Sequence, residues 1–313
     1  MSTRDRLAFM VFSAWTISGL FLDGWAHRAG KPETFFTPWH GVLYSGFLAG
    51  MAWSVLTSIQ DRRAGRPVTP PDRLVSLGGL LFLAAGAFDM AWHTLFGVEE
   101  DFEALLSPSH LLLMFAGMLL TTGVLRAAPY GDEGDGGSLV RFLPTLAGAS
   151  LTTALVGFFL MFLTPFLAMD DLPAGEIADM YRATGILVTN VLLLVPLLYL
   201  ARRFRLPTGT VTLHLLVVIG LISSLDAFDR WPLLLTAIGG GVVGDVLLAR
   251  SRGVLDRRAL RTFAVAVPTA MWLAYALATQ LAYGLDQPVE YWTGPIVFAA
   301  LSGFALALLA DDA

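Results

Sequence analysis

Ten apolar stretches divide the chain, near residues 8–27, 38–59, 74–96, 108–127, 142–167, 181–201, 209–225, 231–249, 260–283 and 291–309. A helix needs about 20 apolar residues to cross a bilayer, and each stretch is close to that length. Short polar segments join them, several with Gly or Pro, as in Arg62–Arg73 and Gly131–Gly137. The pattern predicts an all-α, polytopic integral membrane protein with about ten transmembrane helices. The first stretch ends in charged and aromatic residues without a small-residue cleavage site, so it reads as a retained helix instead of a signal peptide. Two modules are expected: residues 1–127 with four helices, and residues 140–313 with six.

Composition fits a surface covered by lipid. Hydrophobic residues make up 56% of the chain and charged residues 14%, with a mean hydropathy of +0.67. Soluble domains carry about a quarter charged residues. The lipid bilayer is therefore the expected partner, and nucleic acid is not. The absence of cysteine removes disulfides, thiolate metal sites and CxxC redox chemistry.

Charge sets the orientation. With the N-terminus inside, sixteen of the 20 basic residues fall in cytoplasmic segments: Arg4, Arg6, Arg62, Arg63, Arg66, Arg73, Arg126, Arg141, Arg202, Arg203, Arg205, Arg250, Arg252, Arg257, Arg258 and Arg261. Only Arg28, Lys31, Arg182 and Arg230 fall outside. Cytoplasmic loops carry this excess in membrane proteins, so a multi-pass protein of the plasma (inner) membrane is expected, with both termini cytoplasmic.

Four of the five histidines form one pattern. The first predicted helix ends Asp23-Gly-Trp-Ala-His27 and the second opens Phe36-Thr-Pro-Trp-His40. The third ends Asp89-Met-Ala-Trp-His93 and the fourth opens Leu106-Ser-Pro-Ser-His110. The Asp and first His recur at an offset of 66 residues and the second His at 70, so the pattern reads as a tandem helical-hairpin repeat, 1–59 and 73–127. Residues i and i+4 share a helix face, which lets Asp23 and His27, or Asp89 and His93, point at one centre. Proline two residues before each second histidine suits the first turn of a new helix. Each hairpin thus offers two imidazoles and a carboxylate, a donor set for copper, zinc, iron or manganese with room for a further ligand. Single histidines at helix ends are usually interfacial and single Asp residues usually caps; two copies of one arrangement of ionisable groups at the membrane edge point to function instead. Two mononuclear sites and one dinuclear site both stay open.

The Asp-x3-His element followed by Thr/Ser-Pro-x-His resembles, over residues of about 20–115, the intramembrane copper-holding subunit of the particulate (membrane-bound) methane and ammonia monooxygenases. The resemblance implies two neighbouring intramembrane copper sites, with Asp23, His27 and His40 at the positions of the first and Asp89, His93 and His110 at those of the second. The spacing His27-x12-His40 also agrees with that family. The chain departs from it in carrying Asp89 where the family has an amide, in a longer second loop, and in starting the motif in its first helix.

Other residues are weighed around these six. Glu33 and Glu103 are candidate acceptors for the imidazole N–H groups, and Trp39 and Tyr44 are candidate neighbours of the ligands. Trp25, Trp39, Trp92, Tyr44, Trp231, Tyr291 and Trp292 sit at depths expected of an interfacial aromatic belt. Glu99, Glu100, Asp101 and Glu103 form an acidic loop able to concentrate cations. His214 and Asp245 are a candidate buried pair, and Gly239–Gly241 a close-packing run. Met90, Met114 and Met118 read as packing residues. The expectation is an integral-membrane metalloprotein with Asp/His copper sites on the extracytoplasmic side, a copper-dependent, monooxygenase-like oxidoreductase for a small apolar substrate. Zinc or iron is the alternative metal. Copper acquisition or homeostasis and a membrane-embedded zinc hydrolase are the alternative functions. Membrane or cupredoxin-like partner subunits, or a homo-oligomer, would accompany the first reading.

Overall fold

The computed structural model describes residues 1–31, 36–97, 101–128, 138–167, 175–284 and 287–311. Helices make up 84% of the structure, and the described residues contain no strand. In chain order they are α1 (Thr3–Arg28), α2 (Pro38–Arg63), α3 (Pro70–Phe96), α4 (Asp101–Leu106), α5 (Pro108–Arg126), α6 (Leu139–Phe159), α7 (Glu176–Arg203), α8 (Thr210–Ser224), α9 (Leu235–Arg250), α10 (Arg257–Tyr283) and α11 (Glu290–Asp311). Short 3₁₀ turns occupy Met161–Leu163 and Trp231–Leu234.

Among the described residues nine helices are long and apolar enough to cross a membrane, as a polytopic membrane protein requires. The stretch near 209–225 differs from its expected length. It forms α8, of only 15 residues, about 22 Å long at 1.5 Å per residue against a hydrocarbon core of about 30 Å. Gly209, at φ +97°, precedes its first turn. Beyond Ser224 the chain leaves the helix through Ala227 and Phe228, both at positive φ. The hydrophobic pattern also does not mark α4, a single turn and a half in the loop before α5.

The chain divides into two compact units, Met1–Ala128 with Pro144–Phe159, and Pro129–Leu143 with Leu160–Ala313. In the first unit α1 packs on α2 and α3 on α5. Small residues bring each pair together: a Cβ on Gly19 would lie 2.5 Å from the Leu43 backbone, and one on Gly78 would lie 2.8 Å from Leu119 Cβ. Leu43, Phe47, Phe82 and Ala116 form a core across the hairpins, with Phe47 and Phe82 stacked at 4.4 Å. Residues of α6 from Pro144 onward join this unit through Arg6, which donates to Thr145 Oγ1 at 2.7 Å, and through the Thr121–Thr152 hydroxyl pair at 2.7 Å.

The second unit is built from α7 to α11. Pro196, Pro268 and Pro295 lie inside α7, α10 and α11. The Gly239–Gly241 run sits where α9 meets its neighbours: added Cβ atoms would meet Ala274, Met271 and Thr212 at 2.5–2.8 Å.

Candidate metal centre

Each Thr/Ser-Pro-x-His element is a helix start. Thr37 caps α2 and its hydroxyl accepts from the His40 backbone N–H at 3.4 Å; Ser107 caps α5 and accepts from His110 N–H at 3.3 Å. Pro38 and Pro108 take the first helical position, where no N–H is needed. The second histidine is therefore the third residue of its helix, held at a fixed angle by the cap. The partner Asp and His come from the last turns of α1 and α3, one turn apart.

In the second hairpin all three side chains converge. Asp89 Oδ1 lies 3.4 Å from His93 Nε2 and 3.2 Å from His110 Nε2. The three donor atoms sit within 4.8 Å of one another, and no other such group of three occurs among the described residues. Two ligands about 2.0–2.1 Å from one tetrahedral ion lie about 3.3 Å apart, so both spacings match the edge of a metal tetrahedron.

The other ring nitrogens explain why these atoms face one another. His110 Nδ1 lies 2.5 Å from the Ala104 carbonyl, and His93 Nδ1 lies 3.3 Å from the Gly97 carbonyl. A carbonyl only accepts, so each Nδ1 carries a proton, and a neutral ring then turns a lone pair at Nε2 toward Asp89. Gly97, at φ +86° just beyond α3, is what turns its carbonyl back onto the ring. In that form three acceptor atoms face one another. The two rings lie with centroids 5.5 Å apart, and one cation between them and Asp89 would meet all three atoms. Ser109, fully buried, donates to Asp89 Oδ1 at 2.8 Å and lies 3.2 Å from Ser107 Oγ.

The first hairpin assembles the corresponding residues more loosely. Asp23 Oδ1 lies 3.3 Å from His40 Nε2, but its other oxygen, Oδ2, faces His27 Nε2 at 3.8 Å. Asp23 Oδ1 is buried without a hydrogen-bond donor, and so is Trp39 Nε1 without an acceptor. The two sets are neighbours: Asp23 lies within electrostatic reach of Asp89 and His110, and Tyr44 within reach of both carboxylates. The Tyr44 ring is 6.3 Å from that of His40, and its hydroxyl lies against Gly86, one turn before Asp89.

Other expectations fare differently. At His110 the acceptor is the Ala104 carbonyl, not the carboxylate of Glu103, whose side chain is exposed. Glu33, Glu99 and Glu100 lie outside the described residues, and the Asp101 side chain does too. Trp25 faces Lys31, with Nζ 5.9 Å from the ring centre. His214 and Asp245 do not pair. Asp245 accepts from Val211 N–H, Thr212 N–H and the Thr212 hydroxyl at 3.1, 3.1 and 2.6 Å, capping α8 from a neighbouring helix. His214 Nε2 lies 3.2 Å from the Leu193 carbonyl, three residues before Pro196, where the proline loosens the helix ladder. Ser109 is a site residue that the repeat does not single out. Its one signal is its place between the capping proline and the histidine, which in the first hairpin is held by Trp39. Protein-family models, curated proteins and solved structures offer no match to this chain, which leaves the site's own chemistry as the guide to what it does.

Proposed function

We propose that this protein is an integral-membrane metalloprotein whose Asp89–His93–His110 and Asp23–His27–His40 sets each hold a transition-metal ion, copper first, near one face of the bilayer. The observation that carries this is the meeting of Asp89 Oδ1 with two Nε2 atoms at 3.4 and 3.2 Å while both rings give their Nδ1 protons to backbone carbonyls. Backbone acceptors of this kind fix the tautomer and ring direction of metal-ligating histidines. The donor set has no sulfur and suits Cu(II), Zn(II) or Fe(II). The excess of arginine at the opposite helix ends favours an extracytoplasmic position for the sites and cytoplasmic termini.

The motif's resemblance to copper membrane monooxygenases favours copper and an oxidoreductase acting on a small apolar substrate reached through the lipid. Copper held there would supply one-electron redox chemistry. The chain's own part is to fix two imidazoles and a carboxylate and to leave a coordination position open. Metal acquisition is a second reading, favoured by the 41% exposure of the His27 side chain, since an exposed ligand exchanges ions readily. Elemental analysis with EPR on the purified wild type, His27→Ala and His93→Ala tests the assignment. Bound metal is expected in the wild type and less in each variant. Equal metal in all three would remove the reading.

A further inference from the structure

We infer, building on the metal reading above, that the two sets are unequal partners: Asp89–His93–His110 is a tight resident site, and Asp23–His27–His40 is a weaker, exchangeable site open to an outside ligand. Four differences separate them.

The first is convergence. The second set brings its two imidazoles to a single carboxylate oxygen, at 3.4 and 3.2 Å, whereas the first divides them between two oxygens, at 3.3 and 3.8 Å. An ion held in the first site as in the second would have to draw a side chain inward, and ordering costs affinity. Carboxylate support is the second difference. Ser109 holds Asp89 by a buried 2.8 Å hydrogen bond, while the residue in its place is Trp39, and Asp23 Oδ1 has no donor. Supporting bonds of this type are worth about 10–100-fold in metal affinity.

The third difference lies in the tautomers. His93 and His110 face backbone carbonyls, which fix the proton on Nδ1. His40 Nδ1 faces the Thr37 hydroxyl at 2.9 Å, and a hydroxyl either donates or accepts, so the ring is not committed to presenting Nε2. Exposure is the last, and it lies at one ligand: the His27 side chain is 41% exposed against 20% for His93, while His40 and His110 are alike at 23% and 27%. That opening gives a solvent ligand, or a small anion, a way to the first ion. Because the two sites lie within electrostatic reach, an ion resident in the second also disfavours a second cation beside it, which widens the gap.

Equilibrium dialysis of the purified full-length protein in detergent against buffered Zn²⁺, repeated with Cu(II) and EPR, reads this directly. Two classes of bound ion are expected, differing at least tenfold in affinity. His93→Ala should lose the tight class and His27→Ala the weak one. Ser109→Ala should weaken the tight class about tenfold and leave the weak class unmoved, and Ser109→Thr, which keeps the hydroxyl, should restore it. Azide should alter the EPR signal of the weak class alone. Two classes of equal affinity, loss of the tight class in His27→Ala, or a Ser109→Ala protein with wild-type affinity would each overturn the inference while leaving both sites standing. A wild type that binds no metal sinks the site assignment as well.

Discussion

Asp245 in the second unit and Asp89 in the first are both buried carboxylates near a helix start, yet their surroundings differ in kind. Asp245 meets three donors, two backbone N–H groups and a hydroxyl, and so completes the first turn of α8. Asn190 is satisfied on both ends, donating to the Ala299 carbonyl and Ser302 Oγ and accepting from Trp272 Nε1. His214 meets a carbonyl. In each case donors face acceptors, as buried structural polar groups must. Asp89 instead meets Ser109 as a donor and two imidazoles that turn their Nδ1 atoms to backbone carbonyls. A polar cluster that serves the fold has its acceptors met by donors; under the metal reading, the Asp89 cluster leaves that place to a cation. That difference separates the two units more sharply than burial does, since Asp89 and Asp245 are 6% and 7% exposed.

Substitutions put this contrast at risk. The largest effect is expected from Asp89→Asn, which keeps the shape and the Ser109 bond but removes the charge: metal affinity of the second set should fall more than about 100-fold, since a ligand outweighs its supporting bonds. Dialysis showing wild-type binding would break the contrast outright. Asp245→Asn should cost about 2–3 kcal/mol of stability, because an amide cannot accept three donors, and elemental analysis should find metal content unchanged. A smaller loss, about 1–2 kcal/mol, is expected for Asn190→Leu, read as a lower midpoint of thermal unfolding in detergent, again with full metal. The smallest is His214→Phe, about 0.6–1 kcal/mol. Metal loss in this last variant would show that His214 belongs with the sites after all.

Much of the fold is legible along the chain because bilayer thickness leaves so little choice of element. Nine of the ten apolar stretches form helices of spanning length among the described residues. The exception, α8, begins and ends within a residue of its apolar stretch and is simply short, bounded by Gly209 at positive φ and by the turn through Ala227 and Phe228. The expected pairing of His214 with Asp245 fails because Asp245 takes the first-turn donors of α8 and His214 turns to the Leu193 carbonyl. Both carry ionisable side chains at similar depth, and only packing decides which face each presents.

The candidate site is legible in its ligands and not in its supports. Asp-x3-His names two residues on one helix face by helical geometry alone, and Thr/Ser-Pro-x-His names a capped helix start. Local rules therefore determined which six side chains could meet. Which of them do meet on one atom, and how firmly, was decided in three dimensions. The Gly97 and Ala104 carbonyls are backbone groups with no signature of their own in sequence, and Ser109 became a partner of Asp89 only when α5 packed against α3. Periodicity fixes the face of a single helix, but the distance between atoms on different helices depends on how closely those helices approach, and that is a property of the packed pair.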